Sequence, residues 1–105
     1  MSSQAFHVLV ALADEDRHGY GIMQDVAART NNQIQLSAGT LYGSIKRLLE
    51  QGLIVEMRNR ESESGERRRY YRLTPLGRKA ARAEAARLSD LLEQARNHGL
   101  APKRS

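Results

Sequence analysis

The chain has no cysteine, no tryptophan, a single phenylalanine and only 5% aromatic residues in all. Without cysteine there is no disulfide framework, no zinc ribbon and no thiol nucleophile, and nothing points to an oxidising compartment. Long apolar runs are missing too: none approaches the roughly 18 residues that a membrane span requires. The opening stretch, MSSQAFHVLVALADEDRHGY, has a short apolar run, but no Lys/Arg cluster leads it and acidic residues follow at once, unlike a signal peptide. The expectation is a soluble, cytoplasmic protein with no membrane partner.

The parts of an enzyme are equally scarce. His7, His18 and His98 lie in separate segments without a paired carboxylate or metal-ligand spacing. No glycine-rich phosphate loop and no Ser/His/Asp constellation is present. No catalytic residue, metal ligand or cofactor is therefore expected, and the chain is read as not an enzyme.

What is present is positive charge, unevenly placed. The 105 residues suit one domain, which would hide about 60 to 70% of its unfolded surface. The formal net charge is +5, made of a balance of −2 over residues 1–36, +3 over 37–72 and +4 over 73–105. An anionic partner, nucleic acid above all, is expected against the middle and C-terminal parts.

Residues 4–13 are apolar nearly all round, with Phe6, Leu9, Val10 and Ala13 at helical spacing, which predicts a helix covered on more than one side. DEDRHGYG interrupts it, and residues 20–29 carry a second stripe of Ile22, Met23, Val26 and Ala27. TNNQIQL reads as a connection with a short extended piece at 34–36. Ser37 is a good N-cap for a third helix, whose Leu41, Ile45, Leu48 and Leu49 share about one quadrant at 100° per residue. Gly39, Gly43, Lys46, Arg47 and Glu50 fall opposite, Thr40 and Tyr42 flank, and Gly52 ends the helix. LIVEMR and RRRYYRL, separated by NRESESGE, predict a β-hairpin with a long tip. Counting by twos from Leu73 puts Tyr71 and Arg69 on its face, with Tyr71 inward, and Tyr70, Arg68 and Arg72 on the other. Thr74 and Pro75 then open a fourth helix to about residue 97, with Leu88, Leu91, Leu92 and Ala95 in one seam.

Three helices, a hairpin and a long helix make a mainly α fold with a small β-hairpin: a winged helix-turn-helix followed by a C-terminal dimerisation helix. The expected divisions are 1–74 for the DNA-binding domain, 75–97 for the dimerisation helix and 98–105 for a flexible tail. In this frame the two glycines of the third helix acquire a reason. Each costs roughly 1 kcal/mol against alanine inside a helix, but small residues on an exposed face let the backbone approach a duplex. Lys46 and Arg47 could then reach phosphates or guanine edges. From the helix alone, a merely solvated Lys-Arg pair is an equal reading, and Gly39 stands in a first turn where propensity matters little. Arg67, Arg68 and Arg69 alternate in direction, so two of them contact DNA at once. Acidic Glu61, Glu63 and Glu66 at the wing tip favour backbone contact over deep insertion into a minor groove.

The fourth helix is too long and one-sided for so small a domain to cover, which calls for a second chain rather than folding back on its own domain. Phe6, Leu9, Val10, Leu88, Leu91, Leu92 and Ala95 are the expected homodimer interface. Winged helices also serve as protein-interaction modules without DNA binding, which is the competing function.

HGYGI at 18–22, LSAGTLYGSIKRLLEQGLI at 36–54 and RRRYYRLTPLGR at 67–78 together resemble the PadR family of bacterial transcriptional regulators, in its short-tailed subgroup. The likeness spans residues 5 to about 95. It implies a homodimeric repressor that binds double-stranded DNA at a palindromic, two-fold operator and is released by a small molecule. By matching positions, Tyr20 would touch a phosphate, Ser37, Thr40, Tyr42, Gly43 and Lys46 would make recognition-helix contacts, and Arg67, Arg68 and Arg69 would serve the wing. Ala38 stands where many relatives have proline, and Gly21 where many have glutamate, which leaves one polar contact of the family unaccounted for. Some relatives clasp flat aromatic ligands between tryptophans, which this chain lacks. A small hydrophobic or aromatic effector would instead lie near Phe6, Val10, Leu88 and Leu92.

Overall fold

The computed structural model describes residues 1–61 and 67–102, the side chains of residues 58–61 and 67 excepted. The elements follow in the order α1 (Ser3–Ala11), β1 (Arg17–His18), α2 (Gly19–Arg29), α3 (Ala38–Glu50), β2 (Ile54–Glu61), β3 (Arg67–Leu73) and α4 (Pro75–Asn97). The mainly helical architecture with a small antiparallel sheet and a long last helix is the one expected.

Local chemistry sets the helix ends. Ser37 Oγ accepts the Thr40 N–H at 3.2 Å, Thr74 Oγ1 accepts that of Gly77 at 2.9 Å, and Ser2 does the same for Ala5 at 3.1 Å. Each satisfies an amide that the helix itself leaves without a partner. Pro75 takes the first position of α4, where a missing N–H costs nothing. At the far end of α3, Gly52 adopts φ +74° and the Leu53 N–H donates to the Leu48 carbonyl at 3.0 Å, the Schellman arrangement that stops a helix. Gly99 closes α4 in the same way, with the Leu100 N–H on the Ala95 carbonyl at 2.8 Å. Residues 98–102 of the expected tail are therefore tied to α4, and Arg96 Nε also donates to the Pro102 carbonyl at 2.9 Å; residues 103–105 lie outside the described residues.

The core is where three helices meet the sheet. Leu9, Ile22, Val26, Leu41 and Leu48 are almost wholly buried there, and Tyr71 closes it from β3, inward as expected. Full burial of such side chains contributes about 1.5–3 kcal/mol each. Two assignments shift. Leu49 is 36% exposed and Ser44 takes its place on the buried face, because the helix settles on the arc centred between Leu41 and Leu48. Leu9 is 0% exposed within a single chain, so it belongs to the core and offers nothing to a partner.

The sheet corrects the two-stranded expectation. β2 and β3 form the antiparallel hairpin, with Ile54 opposite Leu73 and Glu56 opposite Tyr71, and an irregularity after Met57. A third strand, β1, pairs along the other edge of β3, Arg17 opposite Tyr71 and His18 opposite Tyr70. The extended piece expected at 34–36 is not a strand; Leu36 is simply buried under the connection. The two residues of β1 carry no alternating apolar pattern, so only their partner reveals them. Arg72 holds the turn before them, its Nε and Nη2 donating to the two carboxylate oxygens of Asp16 at 3.0 and 2.9 Å. Of the acidic residues expected at the wing tip, Glu63 and Glu66 lie outside the described residues, as does the side chain of Glu61.

α4 leaves the domain through a tight contact. A Cβ on Gly77 would run into the Leu53 carbonyl group, with its carbon 2.8 Å away, so only glycine lets the first turn pack there. Beyond this point the helix extends about 30 Å at 1.5 Å per residue, and the chain measures 51 × 28 × 24 Å. Leu88, Leu91 and Leu92 are left exposed along it.

Candidate nucleic-acid interface

Pairing of β1 with β3 fixes the start of α2. His18 ends the strand and caps the helix, its Nδ1 accepting the Gly21 N–H at 2.9 Å. The ring stands edge-on to Tyr70, centroids 5.3 Å apart, and its Nε2 lies 3.3 Å from Arg68 Nη1. Burial, and secondarily the Arg68 charge, push the His18 pKa below the usual histidine value, so the imidazole is neutral near pH 7.

One residue later the chain needs glycine. A Cβ on Gly19 would overlap the Tyr42 hydroxyl and come within 2.8 Å of its Cζ. With no Cβ there, the Tyr42 ring of α3 lies against the first turn of α2. Between them and β3 opens a cleft of about 650 Å³ lined by His18, Tyr20, Tyr42, Arg68 and Arg69. Tyr20 and Tyr42 remain half exposed. Arg69 pairs with Glu56 at 3.4 Å, but both are exposed, so water screens the pair and it contributes little. On the inner wall, burial first, then the neighbouring Glu56 and Tyr42, raise the Tyr71 pKa, which keeps that phenol neutral.

The remaining recognition-helix candidates stand apart from this cleft. Ser37 and Thr40, joined by a hydroxyl hydrogen bond of 3.0 Å, face a recess of about 420 Å³ with Gln33 and Gln35. Lys46 is exposed and makes no ion pair among the described residues. Arg47 is also exposed, and borders a recess shared with Met1 and Ser2. Among the described residues nothing lies within 4 Å of where a Gly39 Cβ would be, and at Gly43 only Arg47 Nη1 at 3.8 Å, so none of them requires either glycine. The Arg67 side chain lies outside the described residues.

Residues 8–83 match the Transcriptional regulator PadR-like family. The chain belongs to that family. Its members are transcriptional regulators and not enzymes, as expected from the absence of catalytic groupings. The PadR-like chain is 33% identical over 88 residues to the transcriptional regulator Rv3488 of Mycobacterium tuberculosis, covering 84% of this chain and 78% of that one. Its fold is similar to a PadR family transcription regulator from Clostridium difficile R20291, with TM-score 0.80, 25% identity, and 92% and 98% of the two chains covered. It is also similar to Bacillus subtilis PadR in complex with operator DNA, with TM-score 0.69 over 81% of this chain and 48% of that one; at 19% identity this likeness concerns the fold alone. The winged helix-turn-helix expected from element order is thus the fold of the PadR-like chain.

Among the residues expected to form a dimer, Leu88, Leu91 and Leu92 are exposed, while Phe6, Val10 and Ala95 are half-buried. No helix among the described residues is long and apolar enough to cross a membrane. Sequence reading left His18 without a role, since histidine is not among the preferred N-caps and its partners Arg68 and Tyr70 come from 50 or more residues away.

Proposed function

We propose that this PadR-like chain is a sequence-specific DNA-binding repressor that works in the cytoplasm as a homodimer on a two-fold operator. The observation that carries the reading is the meeting of Tyr20, Tyr42, Arg68 and Arg69 in one cleft, with Tyr42 supplied by α3, the helix that also bears the open Gly39 and Gly43 positions. α3 would lie in the major groove, with Lys46 and Arg47 reaching base edges or phosphates, Ser37 and Thr40 at its leading end, and Gly43 allowing close approach. The wing, with Arg67, Arg68 and Arg69, would follow the backbone. That relative PadR was solved with operator DNA supports the same use of the fold here.

Residues 75–97 would pair two chains through Leu88, Leu91, Leu92 and Ala95, with Phe6 and Val10 beside them. Two-fold symmetry then sets the recognition helices about 34–36 Å apart, one turn of DNA. A small hydrophobic or aromatic effector would enter near Phe6, Val10, Leu88 and Leu92 and release the operator by changing that spacing.

The test is a footprint and gel shift on DNA upstream of the chain's own gene, repeated over a range of salt. Several phosphate contacts cost orders of magnitude in affinity between about 50 and 200 mM salt. Lys46→Ala should weaken binding and leave the dimer intact. Salt-insensitive binding to a protein, with no footprint, would favour the interaction-module reading instead.

A further inference from the structure

We propose that His18 and Arg68 together seat a single phosphodiester of the DNA backbone, the imidazole donating its Nε2 hydrogen while Nδ1 stays committed to α2. The inference rests on the DNA-binding reading and adds to it a contact residue and the group that residue holds.

A neutral imidazole has one N–H and one lone pair. Because Nδ1 accepts from the Gly21 amide at 2.9 Å, the lone pair is spent there and the hydrogen sits on Nε2. Nε2 lies 3.3 Å from Arg68 Nη1, and a guanidinium has only donors to offer. Two donors therefore face each other. The other tautomer merely moves the conflict to Gly21, and the doubly protonated ring would create it at both ends and set two cations side by side. An oxygen acceptor bridging the imidazole and the guanidinium takes both hydrogens at once and leaves the helix cap untouched.

The surroundings select the acceptor. The pair opens on the cleft that also holds the Tyr20 and Tyr42 side chains and Arg69, at the positive end of α2. A phosphodiester carries one negative charge and two free oxygens, enough for the imidazole and the guanidinium together, and it continues past the site as a strand rather than filling it. The cleft is open and Tyr42 of α3 forms one wall of it, so a backbone running past the recognition helix would reach it.

The experiment uses the full chain and a duplex it selects from a random pool. His18→Asn keeps an N-cap acceptor for Gly21 but is too short to present a donor beside Arg68. It should melt near the wild-type temperature and bind the duplex about ten- to a hundredfold more weakly, the range for a hydrogen bond to a charged group. The salt slope should be unchanged, since a neutral donor releases no counterion, whereas Arg68→Ala should lower it by about one for each chain of the dimer. Replacing single phosphates by uncharged methylphosphonates should reveal one position in each half-site that weakens the wild type and has a smaller effect on both variants. If the wild type binds while His18→Asn binds equally well, with the same methylphosphonate profile, the phosphodiester seat is overturned and the DNA-binding reading stands. If the wild type selects no duplex, both fall. If millimolar inorganic phosphate displaces the duplex through this pair, the site takes a free anion and the backbone assignment is wrong.

Discussion

The Tyr42 hydroxyl occupies the space that a side chain on Gly19 would need. This contact joins the recognition helix to the first turn of α2 and forms one wall of the proposed DNA-binding cleft. The obstructed atoms are the outer end of a side chain, so they can move. Gly19→Ala should therefore swing Tyr42 out of the cleft with little loss of stability, while weakening operator binding by about tenfold, the loss of roughly one hydrogen bond. Gel shift and thermal melting on the same sample check both halves. Unchanged affinity would show that the seat of Tyr42 is irrelevant to DNA.

Gly77 gives the opposite result, because there the obstruction is backbone. A Cβ would meet the Leu53 carbonyl and approach Leu73 Cδ1 to 2.8 Å. The carbonyl cannot swing away, so the start of α4 must lift from the domain. Gly77→Ala is expected to cost about 1–3 kcal/mol or more, the usual range for overpacking. At about 4–8 °C per kcal/mol for a domain of this size, a melting curve would register it easily.

Stability should fall on mild acidification. His7 and His18 both have pKa values below the usual 6.5, each by burial first and by a nearby arginine second, Arg29 and Arg68 respectively. The unfolded chain thus takes up protons at a higher pH than the folded one, so stability is full above about 6.5 and is lost as pH falls from there through the lowered values. For His18, protonation also removes the lone pair that Gly21 uses. The melting temperature should be lower near pH 5 than near pH 7.5, and His18→Asn should shrink the difference. A flat profile would contradict this account.

The exposed leucines of α4 make the dimer testable directly. Leu92 is 44% exposed and shares one side of the helix with Leu88 and Leu91. Leu92→Asp should leave the fold of one chain intact, since this side chain supports no core contact, and should convert a dimer to a monomer in analytical ultracentrifugation. A variant that still sediments as a dimer would move the interface elsewhere.

Much of this arrangement is readable from short stretches of the chain. The stripes of α2 and α3, the Ser37 and Thr74 caps, Pro75 at the first turn of α4, and Gly52 as a stop all express interactions within about five residues. Spacing and capping chemistry are visible there without knowing the partner. Tyr71 turns inward because strand alternation from Leu73 requires it. The candidate recognition helix is legible for the same reason, its apolar and small faces being written in one continuous segment.

By itself, then, the sequence determined the order and kind of the main elements, the helix ends and the basic, glycine-bearing face of α3. Only the tertiary structure decided that Arg17 and His18 form a strand, since their partners Tyr71 and Tyr70 lie more than 50 residues on. It alone withdrew Leu9 into the core, seated Tyr42 on Gly19 and brought His18 to Arg68. The division has one physical cause. Periodicity and capping are settled by neighbours in the chain, whereas burial, edge pairing and the meeting of donors depend on which distant surfaces pack together.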